Sequence, residues 1–482
     1  MDIIRVGLDF GTHQTKICIQ RTPDEGRGEP NYEFFKFIDL KGNEQYFLPS
    51  LIQINKDDTL SYGYVDPVME KNDIVKPKME VVPIQSDFDI AETADKLYDK
   101  YASSKNSPDD MTIIAEMLKI RKRMLIERES SEKRKAYERY QAQLEEYKHG
   151  TNVFRYFKQS TFTDVEWKGN IDCETLCIWY LAYVIFLLEQ KFGTNFSINM
   201  GVPADEKTYE QKRMQAVGIL ASAYNLVENV YENDMDSFIA ESVDGLLAKT
   251  EHIRYSSDLK EEYNINVFPE AYASLIGLTS RGKLTEGMSL TADIGGGTTD
   301  VSFFTIQDGH PVIYRYWSIP RGLNYIAELS GFDYSEGNFE ERANDEIVEK
   351  FYRKRLEIVN ILVNDLTNQL RKETKIPAKN LREALKNRIL VYTGGGSTYS
   401  FLTVPISYFS DIKLIDASIW KEENIKDKSS VSKLCLLLTT AYGLSVSVDD
   451  HDVKLKKFTS LFSHLKSDDD STYIQEIDKD VC

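Results

Sequence analysis

The stretch from Ile3 to Gly11, IIRVGLDFG, is almost continuously apolar. A short polar turn follows, and then a second apolar run through Ile19. That pattern predicts strand, turn, strand. YFLPSLIQI from Tyr46 and LSYG from Leu60 continue the β pattern. From about Pro108 to His149 the character changes to dense Glu, Lys, Arg and Gln with spaced Ile, Leu and Tyr. This predicts a long helix or helix pair of coiled-coil character, exposed on most faces. As one helix it would reach roughly 60 Å at ~1.5 Å per residue, serving either as a plain strut or as a docking arm. Further on, the spacing predicts a helix from Cys173 to Phe192, a strand and proline turn in FSINMGVPADE, and an amphipathic helix from Lys207 to Leu226. INVFPEAYASLIGL from Ile265 reads as a loop and a helix, Asp345 to Asn387 as mainly helical, and VSKLCLLLTTAYGLSVSV from Val431 as a late helix. The polar, acidic segment 466–482 reads as a frayed tail. Strands alternating with helices predict an α/β protein.

One stretch carries more than periodicity. TADIGGGTTDVSFF, from Thr291, sets Gly295, Gly296 and Gly297 between Asp293 and Asp300. A tight hairpin uses glycine for positive φ, but one glycine would serve. Three suggest that something approaches the main chain closely. LDFGTHQTKI from Leu8 aligns without a gap on ADIGGGTTDV from Ala292, so that Asp9 falls on Asp293, Gly11 on Gly295 and Thr15 on Thr299. Two such hairpins nearly three hundred residues apart predict duplicated lobes facing each other. Their backbone N–H groups would enclose phosphates. Asp9 and Asp293 beside a phosphate chain require a cation, and Mg²⁺ fits because it takes few carboxylates and keeps its waters. His13 sits in the first hairpin, as a phosphate donor or as an ordinary turn histidine.

A third glycine cluster, VYTGGGSTYSFL from Val391, follows a predicted strand. Gly394, Gly395 and Gly396 would let a base or ribose lie against the main chain, with Tyr399 placed to stack on it; an ordinary strand-to-helix turn is the alternative. GLTSRGKL from Gly277 nearly matches a P-loop, but Leu284 replaces the final Ser/Thr and a helix precedes it, so it reads as a solvated turn.

Composition narrows the classes. The formal net charge of -18 argues against a general nucleic-acid binder. No secretory signal is evident at the N-terminus. The longest apolar run, Cys177 to Leu188, is shorter than the ~20 residues a membrane helix needs, and reads as a buried helix. Five scattered cysteines fit reduced thiols and a cytoplasmic setting.

GLDFGTHQTK, ADIGGGTTDVSFF and YTGGGSTYSFL resemble the phosphate-1, phosphate-2 and adenosine motifs of the actin-like ATPase superfamily, and of its DnaK-type heat-shock chaperone branch in particular. YFLPSLIQI, NMGVPADEKTYEQKRMQA, INVFPEAYASLIGL, IPRGLNYIAEL and TTAYGLS are similar to further segments of that branch, in the same order, between about residues 3 and 450. The resemblance implies two ribonuclease-H-like lobes around an ATP cleft. The first would be 1–205, interrupted by the 108–150 helical insertion and completed by 418–465. The second would be 206–417. It implies ATP or ADP with Mg²⁺ as ligands, held by Asp9 and Asp293. Gly11, Thr12, His13, Gln14, Gly295, Gly296, Gly297 and Thr298 would contact phosphates. Thr298 and Asp300 would order the attacking water. Gly395, Gly396 and Ser397 would line the adenosine. The sequence departs from the family in three places. Phe268 replaces the glutamate before the helix proline, so either Glu270 takes over at the metal or metal binding is altered. Tyr399 replaces the adenine-stacking arginine. The helical insertion interrupts the region of the catalytic lysine, for which Lys158 is the candidate. The chain ends soon after this region, so a chaperone cycle would act through a partner protein, docked on the helical arm. The expected function is a slow, DnaK-like ATPase. An actin-like filament-forming ATPase and a nucleotide-binding pseudo-ATPase scaffold are the alternatives, with monomer or filament left open.

Overall fold

A computed structural model describes residues 2–23, 29–65, 135, 153–167, 169–205, 207–253, 263–279, 284, 287–307, 310–330, 345–374, 386, 388–406, 408–415, 425–446 and 454–455. The helical arm expected over 108–150, apart from Lys135, and the tail 466–482 lie outside these residues.

The apolar alternation forms two mixed sheets. The first contains β1 (Ile3–Phe10), β2 (Gln14–Thr22), β3 (Asn31–Phe34), β4 (Ser197–Val202) and β5 (Ile265–Pro269), in the order β5-β4-β1-β2-β3. The second contains β6 (Ser289–Ile294), β7 (Thr299–Gln307), β8 (His310–Ile319), β9 (Ile389–Thr393) and β10 (Asp411–Leu414), in the order β10-β9-β6-β7-β8. The two sheets share strand order and strand sense. In each, the first hairpin and the third strand pair antiparallel, while the fourth and fifth strands pair parallel. Each gains a short sixth strand, Leu48–Pro49 on β2 and Lys454–Leu455 on β8.

This topology moves the boundary expected at residue 205. Ile265–Pro269, read from sequence as a loop, is β5 and pairs with β4, so the first sheet runs on to Pro269. The second begins at Ser289. Pro269 ends the strand because it lacks an N–H.

Seven helices matter for the site: α1 (Phe157–Phe162), α2 (Cys173–Phe192), α3 (Tyr209–Asn225), α4 (Glu270–Thr279), α5 (Leu323–Ser330), α6 (Asp345–Thr374) and α7 (Cys435–Ser445). α2 starts where the Asp172 side chain accepts the N–H groups of Glu174 and Thr175, both at 3.0 Å, a side-chain N-cap. At 20 residues it is longer than its apolar run suggested, and long and apolar enough to cross a membrane by length and composition. Here it is a core helix: Leu176, Trp179, Ile185 and Leu188 are fully buried, and Tyr180 stacks on Phe10 of β1 at 5.5 Å. The cysteines at 18, 173, 177 and 435 are free thiols.

Alternation along β1 sends Leu8 and Phe10 to one face and Gly7 and Asp9 to the other. α7 crosses that second face. A Cβ on Gly7 would lie 2.2 Å from the Ala441 carbonyl oxygen. α7 in turn crosses α4 at Gly443, where a Cβ would lie 1.7 Å from the Ala273 carbonyl oxygen, and at Gly277, which touches Tyr442. The pair fills the seam between the sheets. Gly443→Ala is therefore expected to destabilise the protein by about 3 kcal/mol or more, read as a lowered urea midpoint; an unchanged midpoint would refute this packing.

Candidate functional site

Both hairpins point their turns into one cleft. It is lined by Asp9, Gly11, Thr12, His13, Gln14 and Lys16 from the first, and by Asp293, Gly295, Gly296, Gly297, Thr298 and Asp300 from the second. Lys158, Pro203, Glu270, Leu323, Gly394, Gly395, Leu437 and Thr440 complete the wall. The structure thus brings together most of the residues singled out from sequence.

The register explains the charge pattern. Asp9 pairs across its hairpin with Lys16, and Asp293 across its own with Asp300. Cross-strand partners share a face, so each hairpin sends two polar groups into the cleft. Lys16 Nζ donates to Asp9 Oδ2 at 2.7 Å. Burial alone would pull the Lys16 ammonium down, but pairing with Asp9 and the charges of Asp293 and Glu270 raise it above the usual lysine range. From α1, Lys158 Nζ donates to Glu270 Oε1 at 2.5 Å, and Lys158 is 3% exposed. Phe268 turns away from the cleft and packs with Ala273 and Leu444. The carboxylate two residues later, at the start of α4, is the one that reaches the cleft.

Four carboxylates face only two lysines among the lining residues. Burial, with the charges of Asp9 and Glu270, pushes Asp293 up to about 6. Asp300 rises well above the usual carboxylate range, first through burial and then through Glu270. Thr298 Oγ1 donates to Asp300 Oδ2 at 3.0 Å, and Thr440 Oγ1 to Asp293 Oδ2 at 3.3 Å. The cleft is short of positive charge, which a bound cation would supply. Among the described residues no three carboxylate, histidine or cysteine side chains converge as direct ligands of one ion. Asp9, Asp293 and Glu270 instead stand around the cleft, an arrangement suited to an ion that keeps its waters.

The glycines have a different first reason from the one the sequence suggested. None of Gly295, Gly296 and Gly297 has positive φ. A Cβ on Gly296 would lie 2.6 Å from His13 Cδ2, and one on Gly297 would lie 2.7 Å from Thr12 Oγ1. The side chains are missing so that the hairpins can meet. Gly394 does have positive φ, 81°, and a Cβ there would strike Asp293 Oδ1 at 2.2 Å.

Three expected adenosine residues do not line the cleft. A short 3₁₀ helix, Gly395–Thr398, replaces the expected helix start. It turns the Ser397 hydroxyl back onto the Thr393 carbonyl. Gly396 is buried against Ile294, and Tyr399 packs on Phe401 with ring centroids 5.8 Å apart. Gly277 lies in α4 against α7, away from the cleft; residues 280–283 of the near-P-loop lie outside the described residues.

Sequence reading missed Lys16, Gln159, Asn324, Leu437 and Thr440. For Lys16 a signal existed, since the gapless repeat sets it on Asp300. The others depend on how α1, α5 and α7 pack. No protein-family model matches the chain, and no curated protein matches it.

Proposed function

We propose that the chain is a Mg²⁺-dependent ATP-binding protein and slow ATPase of the actin-like superfamily, nearest to its DnaK-type branch, with two ribonuclease-H-like lobes. The observation that carries this reading is the pair of matching hairpins, one from each sheet, whose turns and paired polar side chains line one cleft. The shared strand order of the two sheets supports it as a duplication. The resemblance of the three glycine motifs supplies the identity of the ligand.

In this reading the turns at Thr12, Gly296 and Gly297 cradle phosphates with main-chain N–H groups. Lys16 and Lys158 neutralise phosphoryl oxygens. Mg²⁺, when bound, would be held through water by Asp9, Asp293 and Glu270 and would neutralise charge between those carboxylates and the phosphates. Asp300, anchored by Thr298, orients a water for in-line attack and, in its ionised form beside a bound cation, accepts the proton of that water. Glu270 paired with Lys158 favours turnover over a pseudo-ATPase scaffold. We further propose a cytoplasmic setting and action on or with a protein partner.

Phosphate release from Mg²⁺-ATP, compared among wild type, Asp9→Ala and Asp293→Ala, tests the assignment. Each variant is expected to fall at least tenfold. Equal rates above background in all three would remove it.

A further inference from the structure

The two hairpins are also tied to each other, by residues of which two stand outside the cleft lining. Gln159 Nε2 of α1 donates to the Gly297 carbonyl at 3.1 Å. His13 Nε2 lies 2.5 Å from Asn324 Oδ1, an acceptor, and so donates to α5. These bonds join segments 138 and 311 residues apart, each running from an element of the first sheet's side to one of the second's. Gln159 and Asn324 are 7% and 5% exposed, and neither lines the cleft. A buried polar bond is worth more than a solvated one, because opening it leaves groups without partners until water enters.

The surroundings are built for this contact. Gly296 and Gly297 lack the side chains that would collide with His13 and Thr12. Tyr156 stacks edge-on against His13, ring centroids 5.0 Å apart at 78°, and holds φ at 61°. A tyrosine in the left-handed region is strained, and such strain persists only where packing fixes it. Tyr156 caps α1, whose next residues are Phe157, Lys158 and Gln159. The same helix therefore points its cation into the cleft and its amide across the mouth. The turn of β6 and β7 is also strapped to α5: Leu323 N–H donates to the Gly295 carbonyl at 3.0 Å, and Asn324 N–H to the Gly296 carbonyl at 2.8 Å.

We propose that His13–Asn324 and Gln159–Gly297 form a polar latch across the phosphate end of the cleft. It sets how often the two hairpins part and hence how fast a bound ligand leaves. The regulatory half rests on the nucleotide reading; the latch itself does not.

Two measurements separate them. Hydrogen exchange of the ligand-free full chain, followed on peptides spanning 8–16 and 292–300, reads hairpin parting directly. Gln159→Ala with Asn324→Ala is expected to speed exchange there about 30-fold, the effect of two lost hydrogen bonds, with the rest of the first sheet unchanged. Exchange equal to wild type in both peptides overturns the latch. Gly297→Ala, whose Cβ would press on Thr12 Oγ1 at 2.7 Å and on the latch residue Gln159 at 3.1 Å, is expected to speed exchange in the same peptides and guards against a misfolded double variant. Release of a fluorescent ADP analogue, chased with ATP, is expected to quicken by a similar factor in the double variant. An unchanged release rate overturns the regulatory role. A wild type that does not bind the analogue sinks the nucleotide reading while exchange still decides the latch.

Discussion

Lys158→Met should lower single-turnover phosphate release by at least 100-fold while leaving nucleotide affinity within about tenfold. In the proposed ATPase Lys158 is a preorganised charge aimed at the transition state, and removing such a charge costs roughly 10²–10³ in rate. Lys158 is almost fully buried, and its ammonium is held 2.5 Å from Glu270 and 5.4 Å from the centre of the Phe10 ring. A cation fixed by a carboxylate and an aromatic face needs no reorganisation when charge develops on a phosphoryl group. The substitution also leaves Glu270 without its cation in a half-dry cleft, which is destabilising in itself. Lys158→Met with Glu270→Gln separates the effects. If the single variant is inactive because an unpaired carboxylate distorts the site, the double variant should regain rate. If the ammonium is the catalytic group, the double variant stays as slow. Lys158→Arg should restore little, since the fork geometry of a guanidinium does not match a point charge in a close-fitting site. A Lys158→Met rate within threefold of wild type would exclude Lys158 from the chemistry.

That residue also shows how far the sequence carries. The β-hairpins were legible because their signals are local. Apolar runs on either side of a short polar turn marked β1 and β2, and the glycines with the repeated motif marked β6 and β7. The gapless repeat of LDFGTHQTKI on ADIGGGTTDV was legible for the same reason, and the two strand registers follow it, Asp9 opposite Lys16 and Asp293 opposite Asp300. Lys158 could be nominated only by resemblance. Its position in the cleft depends on α1, six residues long, whose placement is set by packing Phe157 against Phe10 and Tyr180. No periodicity reports that contact. Ile265–Pro269 was misread because five residues ending in proline look like a loop, whereas pairing with β4 decides the matter. Tyr399 was misplaced for a related reason. A strand followed by glycines predicts a turn but not its direction, and the 3₁₀ geometry of Gly395–Thr398 sends the ring to Phe401. Gln159 carried no motif, and Asn324 sits in IPRGLNYIAEL without a role of its own there; only the meeting of two distant hairpins gives them one.

The remaining large effect is on stability, and it runs against function. Asp300→Asn is expected to raise the melting temperature of the ligand-free protein at pH 8.5 while reducing hydrolysis at least 100-fold. Asp300 is buried and Asp293 partly buried, and their carboxyls are raised, the first to about 8 and the second to about 6. Between the ordinary carboxylate range near pH 4 and those values, the folded protein keeps protons that the unfolded chain has released. The folded state binds more protons, so stability falls as pH rises through the window and is lowest once both groups are ionised. Asparagine at 300 keeps the size of the side chain and an oxygen to accept from Thr298 Oγ1, but carries no charge to desolvate. The gain above pH 8 should be about 2 kcal/mol, which in a chain of 482 residues is a rise on the order of 2 °C. Well below pH 4 the difference between variant and wild type should stop changing with pH, because Asp300 is then neutral in both states. Mg²⁺ with nucleotide should flatten the wild-type profile from the alkaline side, since a cation favours the ionised carboxylates, and should change the Asp300→Asn profile less. A wild-type melting temperature that does not decline between pH 5 and 8.5, or a variant with the same slope as wild type, would mean that these carboxylates are hydrated and that the cleft lacks the charge deficit on which the proposed Mg²⁺ site and ATPase role rest.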